Sequence, residues 1–218
     1  MTRHYILTAS YRGLDYPLEA NRRRIAITRG VTARSLRTQG TPFTWLIYVH
    51  PDDPLLEERL DAFRSADQPV VPIIAGDPVP YIDWTEPVLT TRIDDDDAFA
   101  RDAFLRITGC AATLTERTVL MLPVGYRVNG ARQVPVVNRK NAWASLWAPA
   151  GDRTHIRMRQ HRRTWELAPV RIVDDRPAFL WVRHPDTATP FRMTRDPITA
   201  GVRATFDVDW DLIEAVAA

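Results

Sequence analysis

Short apolar runs and helix-compatible stretches alternate through the first half of this chain. Residues 5–9, 43–49, 70–74 and 88–93 are apolar or β-branched runs of strand length, and near-continuous apolar runs of this kind suit strands buried on both faces. Residues 18–39 predict a helix of modest periodicity, weakened by Gly30 and ended by Gly40-Thr41-Pro42. Residues 54–65 predict a second helix, with Asp53 as its N-cap, Pro54 at its first position, Glu57 and Glu58 in the opening turn, and Leu56, Leu60 and Phe63 along one stripe. A proline-rich link at 76–87 leads into the fourth strand, which runs straight into Asp94-Asp95-Asp96-Asp97. A helix is expected over 98–108, with those carboxylates at its electropositive end. Strands alternating with helices predict β-α-β units around a mostly parallel sheet, the pattern of an α/β protein.

The second half changes character. Residues 118–122, 134–137, 154–158 and 178–182 read as further strands, and Tyr126-Arg-Val-Asn-Gly-Ala131 as a hairpin whose Asn-Gly suits a type I′ turn. The acidic tail, 208–216, reads as a closing helix. The expectation is one α/β domain with a nucleotide-type first half and an antiparallel, loop-rich second half.

Composition narrows the chemistry mainly by exclusion. With 218 residues, 45% apolar and 26% charged, the chain has material for a core. A net charge of +2 argues against bulk nucleic-acid or anionic-membrane binding. Lys140 is the only lysine and stands in Asn138-Arg-Lys-Asn141, so neither a P-loop nor the strand lysine of a protein kinase is available. No Gly-x-Ser-x-Gly elbow and no Gly-x-Gly-x-x-Gly turn occurs. Cys110, the single cysteine, excludes an intrachain disulfide and a multi-cysteine zinc site. No apolar run reaches membrane-spanning length, and Met1-Thr-Arg-His4 lacks the apolar core of a signal peptide, so a cytoplasmic protein is expected.

The acidic run carries the chemistry. Adjacent carboxylates raise one another's pKa unless a cation or hydrogen bonds offset them. In open α/β sheets ligands collect at the carboxyl ends of strands, where this run lies. Hard oxygen ligands select Mg2+ or Mn2+, commonly held through one or two carboxylates plus substrate phosphates. An Asp-x-Asp pair at such a strand end therefore suggests a metal bridging a diphosphate. An aspartyl-nucleophile phosphatase would need a threonine and a strand-end lysine that are missing, whereas a metal-dependent nucleotidyltransferase stays open.

Residues 88–98, Val-Leu-Thr-Thr-Arg-Ile-Asp-Asp-Asp-Asp-Ala, resemble the core motif of the rhamnosyltransferase family of bacterial glycosyltransferase-like proteins, in which a strand and an arginine precede Asp-x-Asp-Asp-Ala. Ile6-Leu-Thr-Ala-Ser-Tyr-Arg12 is similar to that family's opening strand, and Ser35-Leu-Arg-Thr-Gln39 with Phe43-Thr-Trp-Leu-Ile47 to its helix end and second strand. Trp143-Ala-Ser-Leu146 and Trp181-Val-Arg-His184 resemble its later landmarks, although Pro185-Asp186-Thr187 replaces the family's residues after the histidine.

The resemblance implies a single GT-A-like domain over 1–218, with a nucleotide-sugar-binding half at 1–110 and an acceptor half at 111–218. It also implies a nucleoside-diphosphate sugar donor, a glycan or other hydroxyl acceptor, and Mn2+ or Mg2+ as cofactor. Asp96 is then expected on the metal, and Asp94 near the ribose or a metal-bound water. Asp97 is a ligand or a helix cap, and His184 completes the metal set. Thr8, Ser10 and Arg12 follow the first strand, where the nucleotide would lie. Arg92 grips phosphate or relieves the repulsion among the aspartates. Glu166 and Asp186 are the two candidates for the base that deprotonates an acceptor hydroxyl. Trp165 offers a flat surface to a sugar ring, and Trp143 and Trp147 are expected as an exposed acceptor surface or interface. A non-catalytic relative that binds nucleotide or glycan is the alternative of a different class.

Overall fold

A computed structural model of the chain describes residues 2–10, 17–74, 76–139, 143–185 and 196–216. In chain order its elements begin with β1 (Arg3–Ala9), α1 (Leu18–Ile27), α2 (Arg34–Arg37), β2 (Thr44–Val49), α3 (Leu56–Arg64), β3 (Val70–Ile74) and β4 (Val88–Arg92). There follow β5 (Ala98–Phe99), α4 (Ala103–Ala111), β6 (Thr118–Met121), β7 (Val124–Asn129), β8 (Arg132–Val137) and β9 (Ala144–Ala148). The last are β10 (Val170–Ile172), β11 (Phe179–Val182), β12 (Asp196–Pro197), α5 (Ala200–Thr205) and α6 (Trp210–Ala215).

The apolar runs of the first half become the centre of a seven-stranded sheet in the order β10-β6-β9-β4-β1-β2-β3. Its pairings are parallel except that β9 runs antiparallel to both β4 and β6. Period-two alternation divides the side chains between two apolar layers. Ile6, Trp45, Ile47 and Leu89 face one layer, which includes Ile27, Leu36, Phe63 and Phe104 from the helices. Tyr5, Leu7, Leu46 and Val88 face the other, closed by Ile82, Trp84 and Ile156. Both faces are covered, which is why these strands read as continuous apolar runs.

A second sheet, ordered β12-β8-β7-β11-β5, stands beside the first. The expected Asn-Gly hairpin forms as β7 and β8, with Gly130 at a φ of 54°. Residues 179–182 do not extend an antiparallel array, however, because β11 pairs parallel with β7 and antiparallel with β5. The second half also donates β6, β9 and β10 to the main sheet.

Three sequence expectations change. Residues 98–108 are not one helix: Ala98 and Phe99 pair with Leu180 and Phe179, and α4 starts only at Ala103. The aspartates therefore lie in a turn between two strands and not on a helix N-terminus. Residues 154–158 are not a strand, since Ile156–Met158 form a 3-10 turn in which the Ile156 N–H donates to Thr90 Oγ1 at 2.9 Å. The helix expected over 18–39 forms as α1 and α2 joined by a π-helical stretch, Thr28–Ala33. Gly30 sits in that stretch because α6 comes close: Asp209 N–H donates to the Gly30 carbonyl at 2.8 Å, and a Cβ there would lie 2.6 Å from Leu212 Cδ2.

Packing beside the second sheet is tighter still. A Cβ on Gly125 would lie 2.4 Å from the Phe179 carbonyl oxygen, and the Phe179 ring is stacked on Trp143 at 4.0 Å, leaving it no direction of retreat. Gly125→Ala is expected to cost about 1–3 kcal/mol, read as a melting temperature lowered by about 2–4 °C per kcal/mol for a chain of this size. An unchanged melting temperature would contradict the packing.

His4 makes the core pH-sensitive. Its Nε2 meets Thr91 Oγ1 at 2.8 Å, and its ring lies 4.7 Å from that of Phe104. Burial pushes its pKa from 6.5 down to about 3. The folded value lies below the unfolded one, so stability is complete above pH 6.5 and is lost as pH falls towards 3. His4 alone should remove about 1.2 kcal/mol between pH 7 and pH 5.5. Urea unfolding of wild type and His4→Gln at both pH values checks this; equal pH slopes in the two proteins would refute it.

Candidate functional site

The sheet order reverses direction at β1, which has β2 on one side and β4 on the other. A crevice opens at such a switch point, at the carboxyl ends of the strands. The Asp94–Asp97 turn leaves β4 there, closed by the Asp97 N–H donating to the Asp94 carbonyl at 3.3 Å. Asp95 and Asp97 are buried, 3% and 2% exposed, while Asp94 and Asp96 are partly open.

Asp95, which carries no expected role, anchors the turn. Its Oδ1 accepts from Arg24 Nη2 at 2.5 Å, its Oδ2 from Ser10 Oγ at 2.7 Å, and its carbonyl from Thr28 Oγ1 at 2.8 Å. Burial opposes its ionisation, but the Arg24 charge, the Ser10 and Arg24 hydrogen bonds and the Arg59 charge outweigh it and hold its pKa below the usual range. Arg59 donates to Ser10 Oγ at 3.2 Å and to Asp53 Oδ2 at 2.6 Å. Asp53 also accepts the Leu55 N–H at 3.0 Å, but α3 starts only at Leu56 with Leu55 as its N-cap, so the expected Asp53 cap does not form: Asp53 and Pro54 precede the helix, and Asp53 holds Arg59 instead. A buried chain of charge, Asp53–Arg59–Ser10–Asp95–Arg24, thus connects α3, β1, the turn and α1.

Asp97 faces the second sheet, its Oδ1 accepting the Val182 N–H at 3.2 Å. It caps no helix, because none begins beside it. Burial, reinforced by the charges of Asp96 and Asp94, raises its pKa well above the ordinary value. Asp96 Oδ2 lies 3.2 Å from His184 Nε2, just beyond β11, and 3.6 Å from Arg24 Nη2. Arg92 pairs with Asp94 at 3.1 Å.

The other expected site residues are less concentrated. Thr8 is buried and its hydroxyl accepts the Trp45 indole N–H at 2.9 Å, so it supports the core and does not face a nucleotide. Ser10 likewise belongs to the buried chain of charge behind the turn. Glu166 is bound to Arg163 at 2.7 Å and reaches Arg159 at 4.0 Å. The Arg163 hydrogen bond lowers its pKa, which weakens it as a base. Among the described residues no hydrogen bond or ion pair joins Glu166 to the aspartate turn. Arg12 and Asp186 lie outside the described residues. Trp143 and Trp147 are buried, 4% and 5% exposed, and form no acceptor surface, whereas Trp165 is exposed.

Among the described residues no group of three or more His, Cys, Asp or Glu side chains is arranged to hold a metal ion. Asp96 and His184 form a two-donor corner. That donor set suits a hard cation whose remaining coordination comes from water and phosphate oxygens. Arg24, Arg59 and Asp95 have no local sequence signal as site residues, because their partners are distant along the chain.

Among the described residues, no helix is long and apolar enough to cross a membrane. No family model matches the chain, and no curated protein matches it. Among solved structures it is similar to S. aureus TarS, at 14% identity and a TM-score of 0.52, over 85% of this chain and 37% of that one. The chain thus spans well under half the length of that neighbour. A Bacillus anthracis protein assigned as a glucose-1-phosphate thymidylyltransferase aligns at 8% identity and a TM-score of 0.48, over 82% of this chain and 89% of its own. The 4-diphosphocytidyl-2C-methyl-D-erythritol synthase of Anaerococcus prevotii aligns at 13% identity and a TM-score of 0.44, over 78% and 87%. The mostly parallel sheet with one reversed strand, flanked by helices and aligned with TarS, gives this chain a GT-A-like, Rossmann-type α/β fold.

Proposed function

We propose that this chain is a metal-dependent glycosyltransferase that transfers a sugar from a nucleoside-diphosphate donor to a glycan or other hydroxyl acceptor. The observation that carries this reading is the alternating burial of the aspartate turn at the β1/β4 switch point: Asp94 and Asp96 stay partly exposed between buried Asp95 and Asp97, and His184 meets Asp96. In this reading Asp96 and His184 hold Mn2+ or Mg2+, and Asp94 lies towards the ribose or a metal-bound water. When bound, the cation supplies charge that stabilises the departing nucleoside diphosphate.

The protein's own residues fix the geometry. Arg24 and Ser10 hold Asp95 inward, which obliges Asp94 and Asp96 to point outward. Asp97 ties the turn to β11 through Val182 N–H and so sets the place of His184 two residues later. A base for the acceptor hydroxyl must lose its proton near neutral pH and reach the crevice. Glu166, committed to Arg163, is the weaker of the two expected carboxylates.

The test is a product assay with Mn2+ and the sugar nucleotides of UDP, GDP, dTDP and ADP. Metal-dependent release of a nucleoside diphosphate is expected. Release of pyrophosphate from a sugar phosphate and a nucleoside triphosphate would replace this reading with nucleotidyl transfer.

A further inference from the structure

Arg183 lies between Trp181 and His184, one residue beyond β11. It is only 7% exposed, yet among the described residues its guanidinium forms no hydrogen bond or ion pair. It is held by the Trp181 ring, whose centroid is 5.2 Å from its Cζ. Arg127 of β7 is directly opposite Trp181 in the parallel register and stands 4.2 Å from the same centroid. Residues paired in this way share a face of the sheet, as do Trp181 and Arg183 two positions apart. Behind them Trp143 meets Trp181 edge-on at 5.6 Å, a rigid aromatic backing.

Buried Arg183 and half-buried Arg127 meet at one indole ring, and their charges repel each other. The pKa of Arg127 is lowered by burial and by the charge of Arg183, and that of Arg183 by burial, although Asp96 and Asp97 act on it in the opposite sense. The buried Arg183 guanidinium, which has no hydrogen-bonding partner among the described residues, is costly unless an anion completes it. Planar guanidinium groups match the paired oxygens of phosphate and carboxylate. The aspartate turn is adjacent, since Val182 N–H donates to Asp97 and His184 meets Asp96.

We propose that Arg127 and Arg183, seated on Trp181 beside the aspartate turn, form a subsite for an oxyanion carried by the acceptor, a phosphate or a carboxylate. The assignment of this anion to the acceptor rests on the glycosyl-transfer reading; the existence of an oxyanion site does not. The subsite would favour acceptors with a negative charge near the hydroxyl that is modified. It would also separate acceptor recognition by arginine from donor recognition by the cation.

Inorganic phosphate, titrated calorimetrically into the full chain without metal, is the probe. It should bind the wild type in a salt-sensitive manner and bind Arg183→Gln and Arg127→Gln about tenfold or more weakly. Asp96→Ala should bind it at least as well as the wild type, and a saturating nucleoside diphosphate with Mg2+ should leave its affinity unchanged. Equal binding by wild type and both arginine variants overturns the subsite. Displacement of phosphate by the nucleoside diphosphate overturns the acceptor assignment and gives these arginines to the donor. If neither arginine variant folds, Arg183→Lys, which keeps the charge but loses the planar fork, must weaken phosphate binding for the proposal to stand. Arginine-dependent phosphate binding by a protein that binds no nucleoside diphosphate would keep the oxyanion site and remove the glycosyl-transfer reading.

Discussion

Arg59→Ala should cost this fold about 3–5 kcal/mol, the range for removing one partner of a buried ion pair. Arg59 is 1% exposed, and its Nε donates to Asp53 Oδ2 at 2.6 Å, where the Asp53 side chain is equally buried. The substitution leaves that carboxylate in the interior with only the Leu55 N–H, and it removes the donor that orients Ser10 towards Asp95. Truncation of a long buried side chain adds a cavity to the charge imbalance. Domains commonly have only about 5–15 kcal/mol in total, so much of the protein should be unfolded at moderate urea. Urea unfolding of wild type, Arg59→Ala and the double variant Arg59→Met/Asp53→Leu separates the causes. The double variant should recover most of the loss, because it removes both charges and refills the volume. A loss below about 1 kcal/mol in Arg59→Ala, the value of an exposed pair, would show that the network is not the sealed one described.

Asp96→Ala is expected to do the reverse, sparing the fold and abolishing ligand response. Wild-type protein with Mn2+ and the matching nucleoside diphosphate at about 100 times its dissociation constant should gain roughly 2.7 kcal/mol. The variant should gain almost none of it, and turnover should fall on the order of 100-fold or more. Stability without ligand should change little, for a reason specific to this turn. Asp96 is partly open, and its charge is one of those that raise the pKa of Asp97. Removing it relieves repulsion while it forfeits the contact with His184. Thermal shift of both proteins, with and without Mn2+, provides the reading. Metal-dependent stabilisation that persists in Asp96→Ala would remove Asp96 from the cation site.

The framework of the main sheet was legible because its strands are covered on both faces, so the apolar runs needed only a length and an end. The helix expected over 54–65, formed as Leu56–Arg64, was legible for a different reason: the Leu56/Leu60/Phe63 stripe acts within two turns, although the start signal of Asp53 and Pro54 lies ahead of the helix. The stretch after the aspartates was misread because Ala98-Phe99 precedes a true helix and carries no strand signal of its own. Its partners, Leu180 and Phe179, are far away in sequence. The same distance hid Arg24 and Asp95 from each other. Thr8 and Ser10 were expected at a nucleotide because of their chain position, but Trp45 and Arg59, neither visible as a partner beforehand, take up their hydroxyls.

By itself the sequence determined that this would be an α/β chain with a run of carboxylates at the end of a central strand, because hydrophobic periodicity and local charge density act over a few residues. Tertiary structure alone decided which carboxylates are buried and which stay partly exposed. Arg24, Ser10 and Val182 draw Asp95 and Asp97 inward, leaving Asp94 and Asp96 open, and β11 carries His184 to Asp96. Pairing a buried charge requires a partner within a few ångströms in space, and no pattern along the chain encodes which distant residue that partner will be.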